Sequence, residues 1–303
     1  MSKQIALKQF LELPVEEAAE IVRAGNVKVC VFPFNGTRRW FLLEHGHKKH
    51  EDISRAYNDL TGKRYIEMYQ MLFRHGIETV VAPIFGGDIM ERGEEYMNSI
   101  GSAMSHLAEH PDFLSFYREF DVRVRFYGDY RKKLHDGAYS FICDKFDKIT
   151  QETIGHGKHR LFYGVFANDA TEAVAEIAVN LHRKSSQIPG RREIVEQYYG
   201  EYIEKADIFI GFEKFSVFDY PLLNTGNESL YFTAAPSLFM TESQLRYILY
   251  DHLYLRPVSE PDYQSIPRNE FEFMKQYYEK NRQTTYGVGE LRGGIWYLKS
   301  ENS

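Results

Sequence analysis

The chain has 303 residues, with 37 Lys and Arg against 43 Asp and Glu, a net charge of −6 that excludes a nucleic-acid binder held by bulk positive charge. Two cysteines, Cys30 and Cys143, exclude a disulfide scaffold. No apolar run reaches the roughly 18 residues of a membrane span, and the N-terminus lacks the order of a signal peptide, so a cytoplasmic, soluble protein is expected. Aromatic residues make up 15% of the chain, which suits core packing or a site for a greasy or cationic ligand.

The run from Asn26 to Phe34 predicts the first strand. Residues Glu51 to His75 predict a helix stopped by Gly76, and Glu78 to Phe85 a buried strand closed by Gly86-Gly87. Met97, Ile100, Met104 and Leu107 recur at helical spacing over residues 90–109. Val122 to Gly128 and Arg160 to Val165 predict two more strands. Ala170, Ala173, Val174, Ile177, Ala178 and Leu181 mark one helix face, with Asp169 and Glu172 as a capping box. A helix over residues 191–204 leads to a strand from Asp207 to Gly211, and Leu230 to Thr233 predicts the last strand of the sheet. Thr241 and Gln244 cap a helix carrying Leu245, Ile248, Leu249 and His252. A Pro-spaced segment (Pro257, Pro261, Pro267) then leads to a polar helix and a final run from Gly293 to Leu298.

Strands alternating with helices predict an α/β fold: a central, mainly parallel sheet flanked by helices. The rhythm is unbroken to about residue 252, so residues 1–303 read as a single domain, with residues 256–303 as a C-terminal extension. Ligands of such sheets sit beyond the carboxyl ends of the strands. Two loops there carry chemistry. In Asn35-Gly36-Thr37-Arg38-Arg39-Trp40, Gly36 permits a tight turn, and Thr37, Arg38, Arg39 and the loop amides suit an anion; a solvated basic turn would look the same. In Gly86-Gly87-Asp88-Ile89-Met90-Glu91, Asp88 and Glu91 share a helical face and suit Mg²⁺, but acids also favour a helix N-terminus. His45, His47 and His50 resemble a metal cluster, but Lys48 and Lys49 oppose a cation there. No nucleophile elbow and no phosphate-binding loop of the G-x-x-x-x-G-K-[ST] type occurs.

Three of these segments, in order, resemble the cis-prenyltransferase family. Its first-strand motif, Asp-Gly-Asn-Gly-Arg-Trp, matches Asn35 to Trp40, and its second and third strands resemble Gly76 to Phe85 and Val122 to Asp129. The chain is more closely similar to the tuberculosinol synthase/tuberculosinyl transferase branch of diterpene-forming enzymes, through Gly36-Thr-Arg-Arg-Trp-Phe41, Tyr127-Gly-Asp-Tyr130, Tyr198-Tyr-Gly-Glu-Tyr202 and Gly294-Ile-Trp296. The resemblance covers nearly the whole chain.

It implies a terpene synthase or prenyl-diphosphate transferase that ionises a bicyclic C20 allylic diphosphate of labdane or clerodane type. Pyrophosphate leaves, and water or a nucleoside amine such as adenosine's captures the cation. Gly36, Thr37, Arg38 and Arg39 would bind the diphosphate. Asn35, Tyr57 and Tyr96 would act at the reacting end, although core packing is the competing reading of Tyr96. Asp88 and Glu91 would hold Mg²⁺, and a homodimer is implied. Two departures stand out. Asn35 replaces the family's Asp. The late Arg-Thr-Gly-Gly…Arg-x-Ser stretch, which in elongating enzymes holds isoprenyl diphosphate, matches Gly211 to Asp219 here and contains no arginine. The second departure argues against the alternative of a chain-elongating enzyme; the first leaves open a non-catalytic, prenyltransferase-like binding subunit.

Overall fold

Six strands form the centre of the computed structural model, which describes residues 5–87, 94–135, 138–256 and 261–299, and of residues 94–96, 98 and 99 the backbone alone. Helices α1 (Leu7–Glu12) and α2 (Val15–Ala24) precede β1 (Val29–Val31). Then follow α3 (Thr37–His45), α4 (Ile53–Arg74), β2 (Thr79–Phe85), α5 (Glu94–Glu109), α6 (Pro111–Glu119) and β3 (Val122–Tyr127). Helices α7 (Tyr130–Leu134) and α8 (Phe141–Glu152) lead to β4 (His159–Val165), and α9 (Thr171–Ser185) and α10 (Arg191–Tyr199) to β5 (Ile208–Phe212). β6 (Ser229–Thr233), α11 (Glu242–Tyr250), α12 (Arg268–Asn281) and the hairpin of β7 (Gly289–Arg292) and β8 (Ile295–Leu298) complete the order.

The sheet order is β3-β4-β2-β1-β5-β6, and every pairing in it is parallel. A parallel sheet needs both faces covered, and alternation within the strands sorts the two. Cys30, Val80 and Ala82 face the larger core with Leu72, Phe73 and Phe116; Val29, Val31 and Val81 face the smaller one with Tyr199 and Phe209. Much of the aromatic content is core. Phe126 stacks on Phe146 at 3.7 Å, and the buried Tyr117 hydroxyl donates to Leu107 O at 2.8 Å and lies 3.0 Å from that of Tyr163.

Several elements differ from their sequence-based bounds for local reasons. The first strand keeps three ladder residues, because Asn26 is left-handed (φ 61°) and Pro33 has no N–H to donate. Helix α10 ends at Tyr199, where Gly200 turns left-handed (φ 81°). Helix α9 buries none of its side chains, so its apolar stripe is only half-covered. Its expected capping box does not form either: Asp169 accepts from Thr171 N at 2.9 Å, while Glu172 pairs with Lys132. The box on α11 does form, with Thr241 and Gln244 bonding reciprocally. No helix among the described residues is long and apolar enough to cross a membrane.

Candidate active site

β1 is the switch point of the sheet, since the chain leaves it toward β2 and returns on its other side as β5. Ligands of open parallel sheets bind at the carboxyl ends of such strands. The loop after β1 is held there by long-range contacts. The buried Ser237 hydroxyl accepts from Asn35 N (3.1 Å) and donates to Pro33 O (3.3 Å), and Ser237 N donates to Asn35 O (3.1 Å). Gly36 is left-handed (φ 73°), and a Cβ on it would lie 2.8 Å from the Phe212 ring and 3.0 Å from Pro236. Only glycine fits both constraints.

Gly36 is the N-cap of α3 and contributes no capping side chain. The first amides of a helix have no intrahelical acceptor, and together with the helix dipole they attract an anion. Thr37 and Arg38, in this first turn, line a cavity of about 450 Å³ beside α4. The stripe Tyr57, Asn58, Thr61, Gly62 and Tyr65 supplies one wall from α4. Phe34, Phe41, Phe85 and Phe113 supply aromatic faces, and His106 projects from α5. Exposed Leu42 and Ile53 border the same space. Small-molecule sites of roughly 300–1,000 Å³ have this character: an apolar wall with a few convergent polar groups.

Thr37 and Tyr57 are brought together, their hydroxyls 2.7 Å apart. Tyr65 joins them; its ring stacks on Phe34 at 4.4 Å and its hydroxyl senses both Thr37 and Tyr57. Burial pushes the Tyr65 hydroxyl far above its ordinary pKa, followed by the neighbouring Tyr57, so it stays neutral. The two arginines diverge. Arg38 lines the cavity, whereas Arg39 makes a bidentate pair with Glu213 (3.0 and 2.7 Å), its guanidinium lying over Phe212 at 4.7 Å. Asn35 is half-buried immediately before the α3 N-terminus. Tyr96 lies on α5, but its side chain, like all of Asp88 and Glu91, falls outside what is described.

Among the described residues no carboxylate lines the cavity, and both oxygens of Glu213 are engaged by Arg39. Mg²⁺ takes hard oxygen ligands, chiefly carboxylates and phosphates. The described lining of the cavity supplies no carboxylate for Mg²⁺, and the expected ligands Asp88 and Glu91 lie outside the described residues. Of the histidines that resemble a metal cluster, His45 instead packs edge-on against Trp40, and the His50 ring bonds to the His45 carbonyl.

Sequence reasoning misses Tyr65, Ser237, Glu213 and His106. Tyr65 was within reach, because Tyr57, Thr61 and Tyr65 repeat at intervals of four along α4. Ser237 and Glu213 meet the loop only through the fold, some 200 and 174 residues away.

A six-stranded parallel sheet with an aromatic cavity and a helix start suited to an anion at its switch point is the arrangement expected of a prenyl-diphosphate enzyme. Among solved structures, the chain is similar to lavandulyl diphosphate synthase from Lavandula x intermedia, in complex with dimethylallyl diphosphate (TM-score 0.61, 13% identity, 76% of this chain and 97% of that one). It is also similar to a probable undecaprenyl diphosphate synthase from Campylobacter jejuni (TM-score 0.55, 12% identity, 77% and 98%). The fold is that of the cis-prenyltransferases. In sequence the chain is 45% identical over 297 residues to tuberculosinyl adenosine transferase of Mycobacterium tuberculosis (strain CDC 1551 / Oshkosh), covering 97% of this chain and 99% of the relative. It is 25% identical over 297 residues to (+)-kolavelool synthase of Herpetosiphon aurantiacus, covering 97% and 96%. No protein-family model matches it. The chain belongs to the tuberculosinyl adenosine transferase family, and it is an enzyme.

Proposed function

We propose that the enzyme ionises one preformed bicyclic C20 allylic diphosphate and passes the resulting cation to water or to a nucleoside amine. The supporting observation is the cavity itself: an aromatic pocket whose one permanent charge, among the described residues, is Arg38 at the start of α3. The two curated relatives, named as an adenosine transferase and a kolavelool synthase, support the substrate class.

In this reading the diphosphate lies against the Gly36–Thr37 amides and Arg38. Arg39, whose charge Glu213 offsets, braces the loop. The allylic C–O bond breaks heterolytically, and its electron pair leaves with pyrophosphate. Donors set in advance toward that developing charge lower the barrier without reorganising. The cation left behind faces the π surfaces of Phe34 and Tyr65 and the hydroxyls of Tyr57 and Tyr65, with Tyr96 as a further candidate. A lone pair of water or of the amine then forms the new bond to carbon, and the proton it sheds passes to pyrophosphate. Asn35, a neutral amide, orients the nucleophile and takes no proton.

Chain elongation needs a second diphosphate site. Where elongating enzymes carry the late Arg-Thr-Gly-Gly stretch, this chain reads Gly211-Phe-Glu-Lys, and its carboxylate, Glu213, is engaged by Arg39. A homodimer, with Tyr198 and Tyr202 near its interface, and a cytoplasmic location fit the family resemblance. The test is mass spectrometry of products from bicyclic C20 diphosphates with and without adenosine. A C20 alcohol alone, or a C20-adenosine adduct when adenosine is present, supports the reading; substrate returned intact under both conditions overturns it.

A further inference from the structure

Helices α4, α5 and α6 meet beside the cavity at a set of side chains that the reaction above does not use. Asp59 from α4, His106 from the last turn of α5 and His110 just before α6 each offer a ligand atom, and these atoms lie within 4.8 Å of one another. We infer that these three residues form a site for a zinc-class divalent metal, one that pins α4 to the α5–α6 corner on the cavity wall.

The donor set selects the metal. Two imidazoles and one carboxylate suit Zn²⁺, Co²⁺ or Ni²⁺ rather than Mg²⁺, which prefers oxygen alone. His106 and His110 are four apart, so one turn carries both rings on one face, their centroids 4.8 Å apart. In tetrahedral zinc sites ligand atoms sit roughly 3.4 Å apart, at about 2.0–2.1 Å from the metal. Closing from 4.8 Å needs only side-chain torsions, and all three residues are half-buried and able to adjust. The carboxylate's two oxygens face different neighbours: Oδ1 lies 3.9 Å from His110 Nε2, and Oδ2 lies 3.8 Å from the exposed Arg55.

His110 Nδ1 caps α6 by accepting from Asp112 N at 3.3 Å, which leaves Nε2 as the ring nitrogen that faces Asp59. Three protein ligands leave a fourth position for water. Because His106 lines the cavity, the metal would stiffen that wall. The inference does not depend on which diphosphate the cavity takes.

The test is titration of chelator-treated, full-length protein with Co²⁺, followed by visible absorption, and with Zn²⁺, followed by calorimetry and thermal melting. One equivalent should bind, giving the intense bands of four-coordinate Co²⁺ and a raised melting temperature. Asp59→Asn and His110→Gln should each weaken binding at least about tenfold, while a His45→Gln/His47→Gln/His50→Gln variant should bind as the parent does. Melting of each variant without metal verifies its folding, and if one fails to fold the other decides. Absence of stoichiometric binding, binding unchanged in Asp59→Asn and His110→Gln, or binding lost in the triple variant would overturn the inference.

Discussion

The hydroxyls of Thr37 and Tyr57 lie 2.7 Å apart, joining the first residue of α3 to the second turn of α4. This bond ties the start of α3 to the aromatic wall of the cavity; in the proposed reaction the group that meets the leaving diphosphate would also set the dipole facing the cation. Removing either hydroxyl breaks the same bond. Tyr57→Phe and Thr37→Val are each expected to lower kcat about tenfold, the effect of one lost hydrogen bond of roughly 0.5–1.5 kcal/mol. The double variant should be little worse than either single one, because coupled residues do not add. Steady-state kinetics of the four proteins measures the coupling; fully additive losses would separate the two roles.

Arg38 and Arg39 are adjacent in sequence but turn to different places: Arg38 lines the cavity, and Arg39 pairs with Glu213. Arg38→Ala should raise the KM for the diphosphate substrate about ten- to a hundredfold, the cost of a hydrogen bond to a charged group of roughly 1.5–3 kcal/mol. Arg39→Ala should instead lower the melting temperature, because it leaves the 13%-exposed Glu213 carboxylate without its bidentate partner. Adding Glu213→Gln to Arg39→Ala should recover part of that stability. Substrate titrations and thermal melts of the same variants distinguish the two effects; a similar KM rise from both arginines would contradict the division.

Asn35 occupies the position where the resembling enzymes carry Asp, with its backbone clamped by Ser237. A carboxylate there can activate a nucleophile as an amide cannot. Asn35→Asp is expected to raise the rate of diterpenoid formation at least about tenfold. A rate equal to or below the parent's would remove position 35 from the reacting end.

His159 links the fold to pH. It is buried, stacked on Phe73 at 4.2 Å, and burial followed by nearby Lys158 lowers its pKa to about 4. In the unfolded chain a histidine titrates near 6.5. Between those values the unfolded state binds the extra proton, so stability is full above about pH 6.5 and is lost as pH falls toward 4. His159→Phe keeps the stack and removes the titrating group. Denaturant melts between pH 7.5 and 4.5 should show a shallower fall for the variant than for the parent; equal slopes would show that other groups carry the acid sensitivity.

The sequence disclosed what depends on neighbours along the chain. The strand alternation, the Thr241–Gln244 cap and the anion-suited turn at Gly36–Thr37 all follow from local pattern, and the structure contains them. It did not disclose what depends on pairing. How far the stripe on α9 is covered is decided by its neighbours, and that stripe is only half-covered although its periodicity matches a buried one. The same holds for Arg39: nothing around residues 38–39 tells which arginine turns to the cavity, because the choice is made by Glu213 at the end of β5. Ser237, which fixes the loop, arrives from a 3-10 turn late in the chain.

The central claim is that this enzyme acts on one preformed diphosphate rather than joining two. The direct measurement is pyrophosphate release, with product mass, from a bicyclic C20 diphosphate alone, beside incubation of farnesyl diphosphate with isopentenyl diphosphate. The account predicts pyrophosphate and a C20 product from the first mixture and no lengthened chain from the second. Chain-lengthened diphosphates from the second mixture, with no release from the first, would contradict it.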